Sequence, residues 1–174
     1  VSLVIANSMV RRELASSVYN DRRAECERFP GKAALRDVTA SELEACRDLL
    51  PETIYRRCRH VVSENERVIE AAAALRNRDL MRFGELMYES HRSLREDFEV
   101  SCDELDLLVD LARRAPGVYG SRMTGGGLGG CTISLVDTEH VEEVCMMLHK
   151  GYTKTGRSFE VYVCNAADGC FAKM

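Results

Sequence analysis

The stretch VYGSRMTGGGLGGCTISLV, residues 118–136, decides how the chain reads. VYGSRM on one side and CTISLV on the other read as strands, and the run between Thr124 and Gly130 holds five of the chain's twelve glycines within six residues. An ordinary hairpin does not need so many. Glycine adopts positive φ without a Cβ penalty and lets a ligand approach the main chain, so consecutive N–H groups can converge on an anion such as phosphate. Arg122 and Thr124 stand beside the run with a charge and a hydroxyl to add. A wide turn whose glycines only relieve crowding has the same spacing. The run is not a P-loop, which needs Gly-Lys-Ser/Thr after four intervening residues, nor a dinucleotide loop, which joins a strand to a helix.

Upstream the texture is helical after one opening strand. Residues 1–6 are apolar and β-branched, and Asn7-Ser8 end that strand. A helix is predicted from Ser17 to Phe29, stopped by Pro30-Gly31. Thr39 or Ser41 caps a short helix over 42–49, with Glu42 and Glu44 in the turn where the helix dipole favours negative charge. Ile54, Cys58, Val61, Val62, Val68, Ile69, Ala72 and Leu75 then recur at spacings of three and four, predicting one long helix with a buried stripe. Asp79 caps the next, with Leu80, Phe83, Leu86, Met87, Leu94 and Phe98 inward. Ser101 caps a third, with Glu104 as its capping-box partner and Leu105, Leu108, Leu111 and Ala112 inward.

Downstream, Val141, Val144, Cys145 and Leu148 share one helical face, and SFEVYVC alternates Phe159, Val161 and Val163 as a half-buried strand does. The order strand, helices, strand, strand, helix, strand predicts an α+β fold. It is the split βαβ, ferredoxin-like arrangement, with an antiparallel-rich sheet and a helical insertion.

A length of 174 residues with 45% hydrophobic content fits one domain with a sizeable core. Charged residues make up 30% of the chain, the net charge is -4, and basic residues are dispersed among acidic ones, which argues against a nucleic-acid or membrane surface. The eight cysteines run from Cys26 to Cys170 with no CxxC pair, and read as buried reduced thiols of a cytoplasmic protein. No apolar run approaches the roughly 20 residues of a membrane span, and no signal peptide is evident. The chain opens at Val1 inside the strand-like VSLVIAN, without Met, which suggests a piece of a longer protein.

The glycine stretch GVYGSRMTGGGLGGC resembles the third signature motif of the GHMP kinase superfamily, which includes galactokinases, homoserine kinases and mevalonate kinases. Neighbouring words narrow the resemblance to galactokinases: NSMVRRELASSVYNDRRAECE at 7–27, LRDVT at 35–39, RRCRHVVSENERV at 56–68 and FGELMYESHRSLREDFEVSCDELD at 83–106. It covers nearly the whole chain. It implies transfer of the γ-phosphoryl group of Mg2+-ATP to the C1 hydroxyl of α-D-galactose, by a protein of which 1–174 is the C-terminal domain. The catalytic base and most of the ATP and Mg2+ site are expected in an N-terminal domain that this chain lacks, so the chain alone is expected to be inactive.

Carried over residue by residue, the sugar-contacting tyrosine of the Ser-Ser-x-Tyr pattern falls on Tyr19. The basic residue near the nucleotide falls on Arg11, and the phosphate-side loop on Gly125, Gly126 and Gly127. Arg12 departs from the family, which has histidine there, and Leu128 replaces the commoner Phe. His60, His91, Cys102 and Cys131 belong to matching words but are expected to be structural. A catalytically silent galactose and ATP sensor, and a kinase acting on N-acetylgalactosamine, are the alternatives.

Overall fold

A computed structural model of the chain describes residues 1–11 and 15–167, without side-chain detail for 15–17. Strand β1 (Ser2–Asn7) turns Ser2, Val4 and Ala6 inward and leaves Leu3, Ile5 and Asn7 half-buried, the period-two pattern of a sheet with one core face. With β2 (Val118–Thr124), β3 (Cys131–Val136) and β4 (Glu160–Cys164) it forms a four-stranded sheet of order β2-β3-β1-β4 in which every neighbouring pair is antiparallel. β3 therefore lies between β1 and β2, and β1 between β3 and β4, which are the two split βαβ units the sequence predicts. Register holds Val4 opposite Ser134 and Val163, and Met123 opposite Thr132.

The helices between β1 and β2 are α1 (Ala15–Cys26), α2 (Ala40–Ala45), α3 (Glu52–Arg76), α4 (Leu80–Glu96) and α5 (Asp103–Arg114), and α6 (Val141–Tyr152) joins β3 to β4. α5 and α6 cover the core face of the sheet. Leu108 and Ala112 from one, and Val144, Leu148 and Tyr152 from the other, close on Val4, Ala6 and Val136. α4 runs along β2, which shields the outer edge of that strand. The approach depends on Gly84 facing Gly120, because a methyl on either would enter the backbone of the other element. A second core, Phe29, Val38, Leu43, Ile54, Tyr55, Cys58 and Val62, sits among α2, α3 and the connection before them.

The caps follow local chemistry. Thr39 and Glu42 form a reciprocal capping box on α2, and the Asp79 side chain accepts from Arg82 N on α4. α5 differs from the sequence expectation: its N-cap is Cys102 with no side-chain bond, because the Ser101 hydroxyl instead donates to Asp106 Oδ1 at 2.6 Å. Asp103, Glu104 and Asp106 still place negative charge in its first turn.

Two buried stripes are corrected. In α3 the stripe is buried at Ile54, Cys58 and Val62, but Val68, Ile69 and Leu75 are exposed, Ile69 by 73%. At 25 residues the helix is about 37 Å long and outruns the layer that covers its first half. In the last strand segment, Phe159 just before β4 and Val161 within it pack on the core while Val163 is exposed, because β4 is a sheet edge whose far end α6 does not reach. The described cysteines are all free thiols, yet only Cys58 is buried and Cys164 is exposed. No described helix is long and apolar enough to cross a membrane.

Candidate functional site

The β2–β3 connection takes left-handed backbone at Gly125, Gly127, Leu128, Gly129 and Gly130, a conformation nearly free only for glycine. Gly125 and Gly126 are exposed at its tip, while Gly127 and Gly129 are buried. Gly127 has a steric reason of its own, since a side chain there would collide with the Val100 carbonyl. Two bonds fix the base of the loop: Leu128 N donates to Val100 O at 2.7 Å, and Gly130 N to Val10 O at 3.2 Å. Among the described residues no partner takes the amides of Gly125 and Gly126, so the tip can offer two adjacent N–H groups to an anion.

Arg11 extends from the same base. The strap after β1 is held along the loop by Ser8, whose N and Oγ both donate to Gly130 O at 2.8 Å. Tyr152 holds the strap from below, its hydroxyl donating to Ser8 O at 2.7 Å. Arg11 is exposed one residue beyond Val10; Arg12 lies outside the described residues. Arg122 is directed away from the loop: its Nη1 reaches Glu64 Oε1 at 3.2 Å and its Nε donates to Met123 O.

Tyr19 stands on α1 with 65% of its surface exposed. It lines a cavity of about 670 Å³ with Arg22, Phe29, Leu35, Val61 and Phe98. α1 is seated by Val18, which packs against Leu94, Val100, Leu105 and Met123, and by Arg22, whose Nε donates to Phe98 O at 2.6 Å. At its C-terminal end the interaction of Cys26 with Cys58 lowers the pKa of the Cys26 thiol, and the same interaction, with burial, raises that of Cys58. The turn 97–100 is thus common to both halves of the site: Phe98 O receives α1 and Val100 O receives the glycine loop.

Arg57 is the residue that sequence reasoning passed over. It is 2% exposed, and its Nε donates to Glu25 Oε2 at 3.0 Å, its Nη1 to Asp97 O at 2.5 Å and its Nη2 to Glu99 Oε2 at 2.6 Å. Burial opposes its charge, but Glu99 and Glu25 outweigh burial and its pKa is raised. Glu99 in turn is held below the ordinary carboxylate range, mainly by Arg57. The available signal was position: Arg57 falls three residues after Ile54 and four before Val61, on the apolar face of α3.

The two family-matching histidines are embedded in the scaffold. His60 Nδ1 lies 2.9 Å from Ser93 Oγ, which donates to Asp97 Oδ2 at 3.2 Å. The imidazole must then be the donor to the serine, the reverse of what activates a nucleophile. Burial lowers its pKa to about 4, so it is neutral at physiological pH. His91 Nδ1 accepts from Met123 N at 3.2 Å, holding α4 to β2. Its Nε2 lies 3.1 Å from Asp106 Oδ1 but too far off line for a hydrogen bond. Among the described residues no cluster of three or more His, Cys, Asp or Glu side chains could hold a metal ion.

Residues 71–154 match the family model described as GHMP kinases C terminal. The galactokinase of Homo sapiens is 51% identical over 172 residues, which cover 97% of this chain and 43% of that protein. The galactokinase of Roseiflexus is 47% identical over 178 residues, covering 97% and 46%. The structure of Lactococcus lactis galactokinase complexed with galactose superposes with a TM-score of 0.89 at 36% identity, over 97% of this chain and 46% of that one. L. major mevalonate kinase in complex with R-mevalonate, at 21% identity and a TM-score of 0.66, shares the fold. The chain spans less than half the length of the curated relatives it matches.

Proposed function

Since this chain is a homologue of the C-terminal part of galactokinases and carries the C-terminal domain of the GHMP kinases, we propose that its protein transfers the γ-phosphoryl group of ATP to the C1 hydroxyl of galactose. Phosphoryl transfer of this kind depends chiefly on positioning the reactants and neutralising charge as the bond between the γ-phosphoryl group and the leaving ADP breaks. In the proposed division of labour, an N-terminal domain supplies the catalytic base, the Mg2+ ligands and most of the ATP site. This chain forms the opposite wall.

On that wall the Tyr19 phenol hydrogen-bonds a galactose hydroxyl. The exposed amides of Gly125 and Gly126 face the phosphates, with Gly127 fixing the loop's shape and Arg11 adding a positive charge beside it. The observation that carries the assignment is the shared turn 97–100, which seats the exposed tyrosine helix and the glycine loop on one support. The free thiols fit a cytoplasmic enzyme.

The test is ATP-dependent formation of galactose 1-phosphate by the complete protein, followed by phosphorus NMR, with N-acetylgalactosamine as competing substrate and the isolated chain as control. Product from galactose with the complete protein, and none with the chain alone, is expected. Binding of both ligands without turnover would replace the kinase by a galactose sensor.

A further inference from the structure

We infer that Arg57 is a positioning residue that couples the sugar-facing helix α1 to the phosphate-side glycine loop. The inference rests on the roles proposed above for Tyr19 and the loop. Its physical basis is the connectivity of one buried guanidinium. Arg57 holds α1 through Glu25, the penultimate residue of the helix that bears Tyr19. Through Asp97 O and Glu99 Oε2 it holds the turn 97–100 at two points. That turn offers its carbonyls in two directions, Phe98 O to Arg22 of α1 and Val100 O to Leu128 of the loop. A guanidinium suits the task because its planar fork directs several N–H groups at fixed angles, which a lysine ammonium cannot reproduce. The surrounding charges close the set: Arg22 also bonds Glu25 Oε2, and Arg56 also pairs with Glu99 Oε1.

The experiment compares Arg57→Lys, Glu25→Gln and Gly127→Ala in the complete protein, with Val144→Ala in the sheet core as a structural control. Amide hydrogen exchange is read first because it does not depend on activity. Arg57→Lys is expected to speed exchange in both α1 and the bonded loop amides of Leu128 and Gly130 while α6 stays protected; unchanged exchange in either would overturn the coupling. Kinetics then separate the two sides. Arg57→Lys is expected to lower kcat/KM for galactose and for ATP by about tenfold or more, within the roughly hundredfold that a 1 Å misplacement can cause. Glu25→Gln is expected to raise KM for galactose more than for ATP, and Gly127→Ala KM for ATP more than for galactose. Val144→Ala is expected to lower the melting temperature and leave both KM values at the wild-type level. If Arg57→Lys lowers the melting temperature but leaves both KM values unchanged well below it, Arg57 is only structural. A wild-type protein that transfers no phosphate to galactose would refute the proposed function, and the exchange measurement would still decide the coupling.

Discussion

Around Val4, Val136 and Leu148 the interior is aliphatic and aromatic, closed by α5 and α6 on the sheet. Around Arg57 it is ionic, with one buried guanidinium held by Glu25, Glu99 and the Asp97 carbonyl, and Arg59 paired to Asp97 beside it. The sheet side resists deformation through volume, because close-packed apolar groups respond to the loss of even a methylene. The helical side, which carries Tyr19 and anchors the glycine loop, is fixed through direction, because charge-assisted hydrogen bonds hold groups at set angles. Removing volume should therefore damage the first side most, and changing protonation or geometry the second.

The largest effect is expected from Leu108→Ala, at a position with no exposure in the sheet core. A loss of about 2–5 kcal/mol on denaturant unfolding is expected from the transfer and cavity costs. A loss well under that would mean the sheet side is less tightly packed than its burial implies. Acid should act on the helical side next. Burial holds His60 at a pKa of about 4 in the folded protein, against about 6.5 unfolded. Above pH 6.5 the residue is neutral in both states. Between pH 6.5 and 4 the unfolded chain binds a proton that the folded one does not, so stability falls with pH, by on the order of 3 kcal/mol across the window. Glu99, held low by Arg57, adds a loss only as pH falls below the ordinary carboxylate value near 4.3. Unfolding midpoints of the wild type and of His60→Gln across that range check the assignment, since the variant should lose the slope above pH 4.5.

Gly84→Ala probes the seam between the two sides. Its methyl meets the Tyr119 carbonyl, and α4 must move off β2 at about 1–3 kcal/mol, the usual cost of overpacking. A neutral result would show that the seam is not tight. The smallest effect is expected from Thr39→Ala, which removes the capping box of α2 and should cost about 1 kcal/mol, with no change in either substrate's KM.

The same division decides what the sequence revealed. Strands, helix order, the Thr39 and Asp79 caps and the glycine connection follow from period and local chemistry, and all appear in the fold. Periodicity fails where burial depends on a neighbour's length, as at Ile69 on the overrunning half of α3 and Val163 on the edge strand. It fails again for polar interiors: nothing in RRCRH separates Arg57, which is buried, from Arg56 and Arg59, except its place on the apolar face. Gly125–Gly127 were legible as a loop. That Gly127 answers to the Val100 carbonyl was not, because the contact joins residues distant in sequence.

Tyr19→Phe in the complete protein tests whether α1 presents a sugar-binding phenol. Tyr19 is 65% exposed, so the fold should be unaffected by loss of the hydroxyl. One lost hydrogen bond to a sugar hydroxyl predicts a rise in galactose KM of about three- to tenfold, with KM for ATP unchanged. A galactose KM equal to that of the wild type would contradict the account.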